Sequence, residues 1–324
     1  MQKPYLGIEI GGTKLQIVVG DASAHIVERH RFTIEAERGG DGIREQIHAC
    51  LSELIPQHSP AAIGVGFGGP VDCQSGEVCV SHQVEGWSNF PLRHWLSLLA
   101  DLPVVVENDA NAAALGEANL GAGAGFNPVF YITLGSGVGG GLVVNGQIYH
   151  GAKPGEAEIG HVRLDRQGTT VESRCSGWAV DERIRTLQHT APQSLLAKLI
   201  AAAGPGGEAK HLPAALRLGD PGARRLIQET ALDLAFALSH VVHLFHPEVI
   251  VLGGGLSLVG DAWRNAVAST LRAFLMEAFA PGPAMRLAAL GEDAVPVGAL
   301  LLAQQMAPEP ANPEEAPLPA QPFE

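Results

Sequence analysis

The sequence predicts an α/β protein made of two similar halves, each with a largely parallel sheet. Two patterns point there. Strand-like runs alternate with helical ones along the chain, the signature of βα units. A hairpin turning on glycine also recurs once in each half, at Gly11-Gly12-Thr13 and again at Gly135-Ser136-Gly137-Val138-Gly139-Gly140. The length of 324 residues agrees, since about 150 residues make one domain.

Taken in order, residues 5–10 and 14–20 are the strands of the first hairpin. Residues 42–55 carry Ile43, Ile47, Leu51 and Leu54 at helical spacing, with Asp41 expected as the N-cap. Short buried strands are expected at 61–67 and 103–107, followed by an alanine-rich helix over 110–119. Residues 129–134 and 141–144 form the second hairpin, 204–213 reads as a loop, and 222–246 as a long helix running into the strand 248–252. Beyond Ala307 the chain is Pro, Glu and Ala, which bury little, so 307–324 is expected to be a disordered tail.

Composition removes several classes of function. Hydrophobic residues make up 46%, enough for real cores, while 21 basic against 34 acidic residues leave a net charge of −13 that repels nucleic acid. The four cysteines include no C-x-x-C pair and read as reduced thiols of a cytoplasmic protein. No run approaches a membrane span, and neither a leader nor a membrane partner is expected.

Gly135-x-Gly137-x-x-Gly140 matches the dinucleotide fingerprint in letters but runs into a strand, where the fingerprint needs a helix. No P-loop motif is present either. Glycine turns can still present consecutive N–H groups to phosphate, and Thr13, Thr133 and Ser136 add hydroxyls beside them. With a third cluster at Gly253-Gly254-Gly255, they point to a nucleotide held between two domains. Asn108-Asp109 falls where a strand gives way to a helix. A carboxylate there is either a cap or a group kept ionised at neutral pH by the helix dipole.

Other constellations are weaker. Glu45-x-x-His48 and Glu158-x-x-His161 mimic a di-iron pair, but Gly160 and the hairpins do not suit a helical bundle. His240, His243 and His246 recur near a helix end, where histidine is favourable without a metal. Cys50, Cys73 and Cys79 show no recognisable ligand spacing.

Six ordered segments carry a resemblance: Leu6-Gly7-Ile8-Glu9-Ile10-Gly11-Gly12-Thr13-Lys14, Gly66-Phe67-Gly68-Gly69-Pro70-Val71, Glu107-Asn108-Asp109-Ala110-Asn111, Thr133-Leu134-Gly135-Ser136-Gly137-Val138-Gly139-Gly140-Gly141, Glu158-Ile159-Gly160-His161 and Val251-Leu252-Gly253-Gly254-Gly255. Their order resembles the ROK family of sugar kinases, of the actin/hexokinase/Hsp70-like ATPase superfamily, over about residues 5–305. The resemblance implies a two-domain actin-like (ribonuclease H-like) fold with a cleft. One lobe would hold 1–112 plus about 296–306, and the other 113–295.

It also implies roles. ATP would contact Gly11, Gly12, Thr13, Lys14, Thr133, Gly135, Ser136, Gly137, Gly253, Gly254 and Gly255. Glu9, where the family usually has aspartate, would act on Mg²⁺. The sugar would contact Gly69, Asn108, Asp109, Glu158, His161 and Glu172, with Asp109 the general base. The family's cysteine cluster for structural zinc has no counterpart in 162–171, so no zinc is expected there.

The implied activity is transfer of phosphate from ATP to a hexose or N-acetylhexosamine, glucokinase-like, by a cytoplasmic homodimer. N-acetylglucosamine, N-acetylmannosamine or fructose kinases are the nearest alternatives. A non-catalytic sugar-sensing ROK regulator is the alternative of another class. Such regulators carry an additional N-terminal helix-turn-helix, whereas this chain enters its first strand at about Tyr5.

Overall fold

A computed structural model describes residues 3–306 except Thr13, 80–83, Pro154, Glu156 and 204–205. Thr13 and the expected tail at 307–324 thus lie outside the described residues. The first unit comprises β1 (Tyr5–Ile10), β2 (Lys14–Gly20), β3 (Ile26–Thr33), α1 (Gly39–His58), β4 (Ile63–Phe67), a short pair β5 (Val71–Asp72) and β6 (Glu77–Val78), α2 (Leu92–Ala100) and β7 (Val104–Asn108). Helix α3 (Asp109–Leu120) leads into the second unit, with β8 (Val129–Leu134), β9 (Val138–Val144), β10 (Gln147–Ile148), α4 (Val171–Cys175), α5 (Gly177–Thr190), α6 (Leu195–Ala203), α7 (Leu212–Arg217), α8 (Pro221–Phe245), β11 (Val249–Gly253), α9 (Asp261–Leu271) and β12 (Ala284–Leu287). The described chain ends on α10 (Ala294–Met306).

The two sheets repeat one plan. The first runs β3-β2-β1-β4-β7 and the second β10-β9-β8-β11-β12. In each, a glycine hairpin gives antiparallel pairs and two crossovers add parallel strands, β1–β4–β7 and β8–β11–β12. Strands β1, β4 and β11 are almost wholly buried, as strands covered on both faces must be. In the first core Ile8, Ile17, Ile47, Leu51 and Trp87 pack together, and in the second Ile132, Leu234, Leu238, Ile250 and Trp263. Each such aliphatic side chain stabilises by about 1.5–3 kcal/mol on burial.

Helices α3 and α10 form the layer that joins the units. A Cβ placed on Gly298 of α10 would lie 1.8 Å from the carbonyl oxygen of Ala112 in α3. Only glycine permits that approach. It fixes α3 against the C-terminal helix, and so fixes whatever the start of α3 presents.

Two expectations are corrected. Helix α1 begins at Gly39 with Arg38 before it and no side-chain cap, so Asp41 is a first-turn acid that pairs with Arg44. The stretch expected as a loop at 204–213 holds a tight helical turn at Glu208–His211 that opens into α7. His240, His243 and His246 go separate ways. His240 Nδ1 meets the Phe236 carbonyl at 2.9 Å, His243 Nε2 accepts from the Met276 N–H at 3.2 Å, and His246 ends α8 in a left-handed conformation, stacked on Phe279. Among the described residues no helix is long and apolar enough to cross a membrane.

Candidate active site

Asn108, the last residue of β7, caps α3. Its Oδ1 accepts from the Ala110 and Asn111 N–H groups at 2.9 and 3.1 Å, and its Nδ2 donates to the Gly69 carbonyl at 3.2 Å. Asp109 is therefore the first helical residue, and the cap is Asn108 and not Asp109. One polar side chain thus joins the start of α3 to the loop after β4.

Burial pushes the Asp109 carboxyl up from 3.8 to about 7, with the charge of Glu9 as the next contribution. The Ala110 N–H and Asp109's own N–H pull it down, and Glu158 raises it a little further. The expectation of full ionisation at neutral pH is thus corrected. Desolvation outweighs the helix end, so the carboxyl keeps its proton to a higher pH than a free aspartate does.

Two cavities meet at this carboxyl. One, of about 290 Å³, is walled by Gly69, Asn108, Glu158, Glu172 and the turn 135–140. The other, of about 320 Å³, is walled by Glu9, Lys14, Tyr131, Gly254, Gly255 and Ser257. Asp109, Ala110 and Thr133 border both. The junction is a consequence of topology. Asn108 ends the edge strand of the first sheet, and Thr133 lies on the central strand of the second, paired with Gly253 and Gly139.

Around the cavities Glu9 and Glu172 are held in place. Glu9 accepts from Gln16 Nε2 at 2.7 Å and pairs with Lys14 Nζ at 3.1 Å, while burial raises its proton affinity. Gln16 is in turn gripped by Arg29 and Arg31, each donating to its Oε1 at 3.1 Å. Glu172 Oε2 accepts from the Val138 N–H at 2.9 Å, which ties α4 to the second glycine turn. Gly254 has φ +75°, and a Cβ there would come 2.5 Å from the Leu134 backbone, so the cavity wall can pass β8 only at glycine.

Four residues expected at the site fall elsewhere. His161 does not line either cavity; its ring is 76% exposed and stands 3.9 Å from Glu158 Oε2. Gly253 is buried within β11 beneath Tyr131. Gly11 and Gly12 border a small recess with Phe67 and Trp87 instead of the larger cavities. Conversely, Tyr131, Ser257 and Leu258 wall the second cavity without having been singled out. Only Ser257, two residues past the glycine triplet, carried a sequence signal.

The segment from His161 to Glu172 closes on Asp165. Its Oδ1 accepts from the N–H groups of Gln167, Gly168 and Thr169 at 2.8, 2.9 and 3.1 Å. The Thr169 side-chain hydrogen bond first, and then these N–H groups, hold this carboxyl below the usual range. A capping box between Thr170 and Ser173 then starts α4.

Two repeated sheets with the Asp109 junction between them define a two-domain ATPase of the actin-like fold. A model of the ROK family matches residues 5–306. The chain belongs to the ROK family and is a sugar kinase. It is 32% identical to a glucokinase of Halalkalibacterium halodurans, over 93% of this chain and 95% of that one. It is 30% identical to a glucokinase of Thermotoga maritima, over 91% and 95%. Among solved structures, a ROK family glucokinase from Streptomyces griseus in complex with glucose and AMPPNP superposes with a TM-score of 0.81 at 32% identity, covering 93% of this chain and 99% of that one.

Proposed function

We propose that the chain transfers the γ-phosphoryl group of ATP to a hydroxyl of a hexose or N-acetylhexosamine, with Asp109 as general base. One observation carries this reading, the place of Asp109 at the junction of the two cavities. The sugar occupies the cavity of Gly69, Asn108, Glu158 and Glu172, and the nucleotide reaches in from the side of Lys14, Gly254 and Gly255. Glucose is the first sugar to test, because relatives named glucokinase align over nearly the whole chain. His161 and Gly253 are given no direct contact in this reading. Gly135, Ser136 and Gly137 line the first cavity together with Asp109 and Thr133, and the transferred phosphoryl group passes along them.

In the step, a sugar hydroxyl oxygen forms a bond to the γ-phosphorus while the bond to the ADP oxygen breaks, and the hydroxyl proton passes to an Asp109 Oδ. Phosphoryl transfer is loose, so positioning and electrostatics supply most of the acceleration. The base adds about 10²–10⁴-fold. Asn108 positions that base from both sides, through its cap of α3 and its bond to Gly69. Glu9 has the character a magnesium ion requires, a hard carboxylate bordering the nucleotide cavity whose burial favours a counter-charge. Mg²⁺ bound to ATP neutralises phosphate charge, and Glu9 would hold it from the protein side. The lobes that close around the substrates are residues 1–112 with 296–306, and 113–295, working in a cytoplasmic homodimer as the family resemblance implies.

A coupled assay of ADP release over a panel of hexoses and N-acetylhexosamines tests the proposal. Sugar-dependent release with at least one of them is expected. Release with none of them overturns it.

A further inference from the structure

Next to Asn108 in the chain, at Glu107, a second group of side chains comes together from three separate segments. Sγ of Cys73, a carboxylate oxygen of Glu107 and an imidazole nitrogen of His150 all lie within 4.8 Å of one another. We propose that these three residues form a site for a zinc-class divalent cation that bridges the two units of the fold.

The donor set is right for such an ion. Thiolate, imidazole and carboxylate together suit zinc and cobalt, and do not suit magnesium or calcium, which take oxygen. Donors of one tetrahedral ion stand roughly 3.3–3.7 Å apart, given bonds of about 2.0–2.3 Å. The cluster departs from that spacing by at most about 1.5 Å: the Glu107–His150 pair, 2.5 Å apart, must open and Cys73 close in, movements within reach of a turn and a loop. The fourth position would belong to water.

The supporting shell is already built. Glu107 is buried, and its Oε1 accepts from the Asn108 N–H at 2.9 Å and from Asn111 Nδ2 at 3.0 Å. Those bonds aim Oε2 at His150 Nε2, 2.5 Å away. Ligands oriented in this way hold metals about 10–100-fold more tightly than unsupported ones. Cys73 and His150 are only partly buried, so an ion can enter. Their segments are also held together independently, by the pair of Asp72 and Lys153 at 2.8 Å.

The placement gives the ion a mechanical meaning. Cys73 follows β5 and Glu107 lies on β7, both in the first unit, whereas His150 follows β10 in the second. The family's zinc cysteines would fall in 162–171 and take no part here. On binding, the Cys73 thiol proton leaves to solvent. The imidazole binds through the ring nitrogen that carries no proton.

The test is a titration of the full chain with Co²⁺, which reads metal binding without reference to kinase activity. The expected result is a cobalt–thiolate charge-transfer band that Zn²⁺ abolishes and excess Mg²⁺ does not. Cys73→Ser removes the band, and His150→Gln weakens binding at least about tenfold. In the unaltered protein, Zn²⁺ slows alkylation of Cys73, read by mass spectrometry. A band that survives Cys73→Ser, the absence of a band, or alkylation of Cys73 unaffected by Zn²⁺ overturns the site. None of these results bears on whether the protein phosphorylates sugar.

Discussion

Glu9 and Asp109 wall the same cavity, and the charge of Glu9 stands second only to burial in raising the Asp109 carboxyl to about 7. A base must be ionised to accept a proton, so kcat/KM for sugar falls as pH drops through about 7 in the free enzyme. One proton governs the fall. A profile flat down to pH 5 would separate Asp109 from the role of base.

Neutralising Glu9 removes one cause of that shift. In Glu9→Gln the acid limb of the kcat/KM profile moves to lower pH, by up to about one unit for the loss of a nearby like charge. Turnover also drops at every pH and responds less steeply to Mg²⁺. A limb that stays in place would show that burial alone sets the Asp109 titration.

Asp109→Asn separates chemistry from folding. Turnover is expected to fall about 10²–10⁴-fold. Stability moves the opposite way, and the sign follows from linkage. A carboxyl whose folded pKa is raised from 3.8 to about 7 stabilises the fold fully below pH 3.8. That contribution is lost as pH rises through about 7, up to about 4 kcal/mol at about 1.36 kcal/mol per unit. Thermal melts should therefore show the variant more stable than the parent at pH 8, with the difference vanishing toward pH 4.

What could be read from the chain alone was what depends on neighbours in sequence. The hairpins at Gly11-Gly12 and 135–140 follow from glycine turns between β-branched runs, and the break at Asn108-Asp109 from the change of period. The pairing of Glu107 with His150 joins residues 43 apart and exists only once β10 returns beside α3. Likewise, the Asp109 carboxyl is raised by desolvation and by the charge of Glu9 at the meeting of the two cavities, and no local pattern encodes either. Strands β3 and β12 escaped notice because their faces are half exposed and carry arginine, glutamate and methionine in place of an apolar run.

Asp165 tests how a loop without the family's cysteines is held. Asp165→Ala leaves three N–H groups without their acceptor. Because this turn is exposed to water, the cost is about 1 kcal/mol, at the low end for lost hydrogen bonds. The effect should concentrate in faster amide exchange at residues 167–169. Unchanged exchange there would mean that the bridge of Arg163 with Thr170 suffices.

Gly298 connects stability to chemistry through backbone alone. A methyl at this position would lie 1.8 Å from the Ala112 oxygen and 2.4 Å from its carbonyl carbon, atoms that cannot rotate aside. In Gly298→Ala, α10 and α3 must separate, at a cost of about 1–3 kcal/mol for overpacking. Ala112 stands three residues from Asp109 on α3, so the shift reaches the base and its Asn108 cap. Both Tm and kcat/KM should fall, with sugar affinity less affected than turnover. Gln305→Ala, on the exposed end of α10, should change neither. A Gly298→Ala protein with the parent's Tm and rate would show that the two helices can part without moving Asp109.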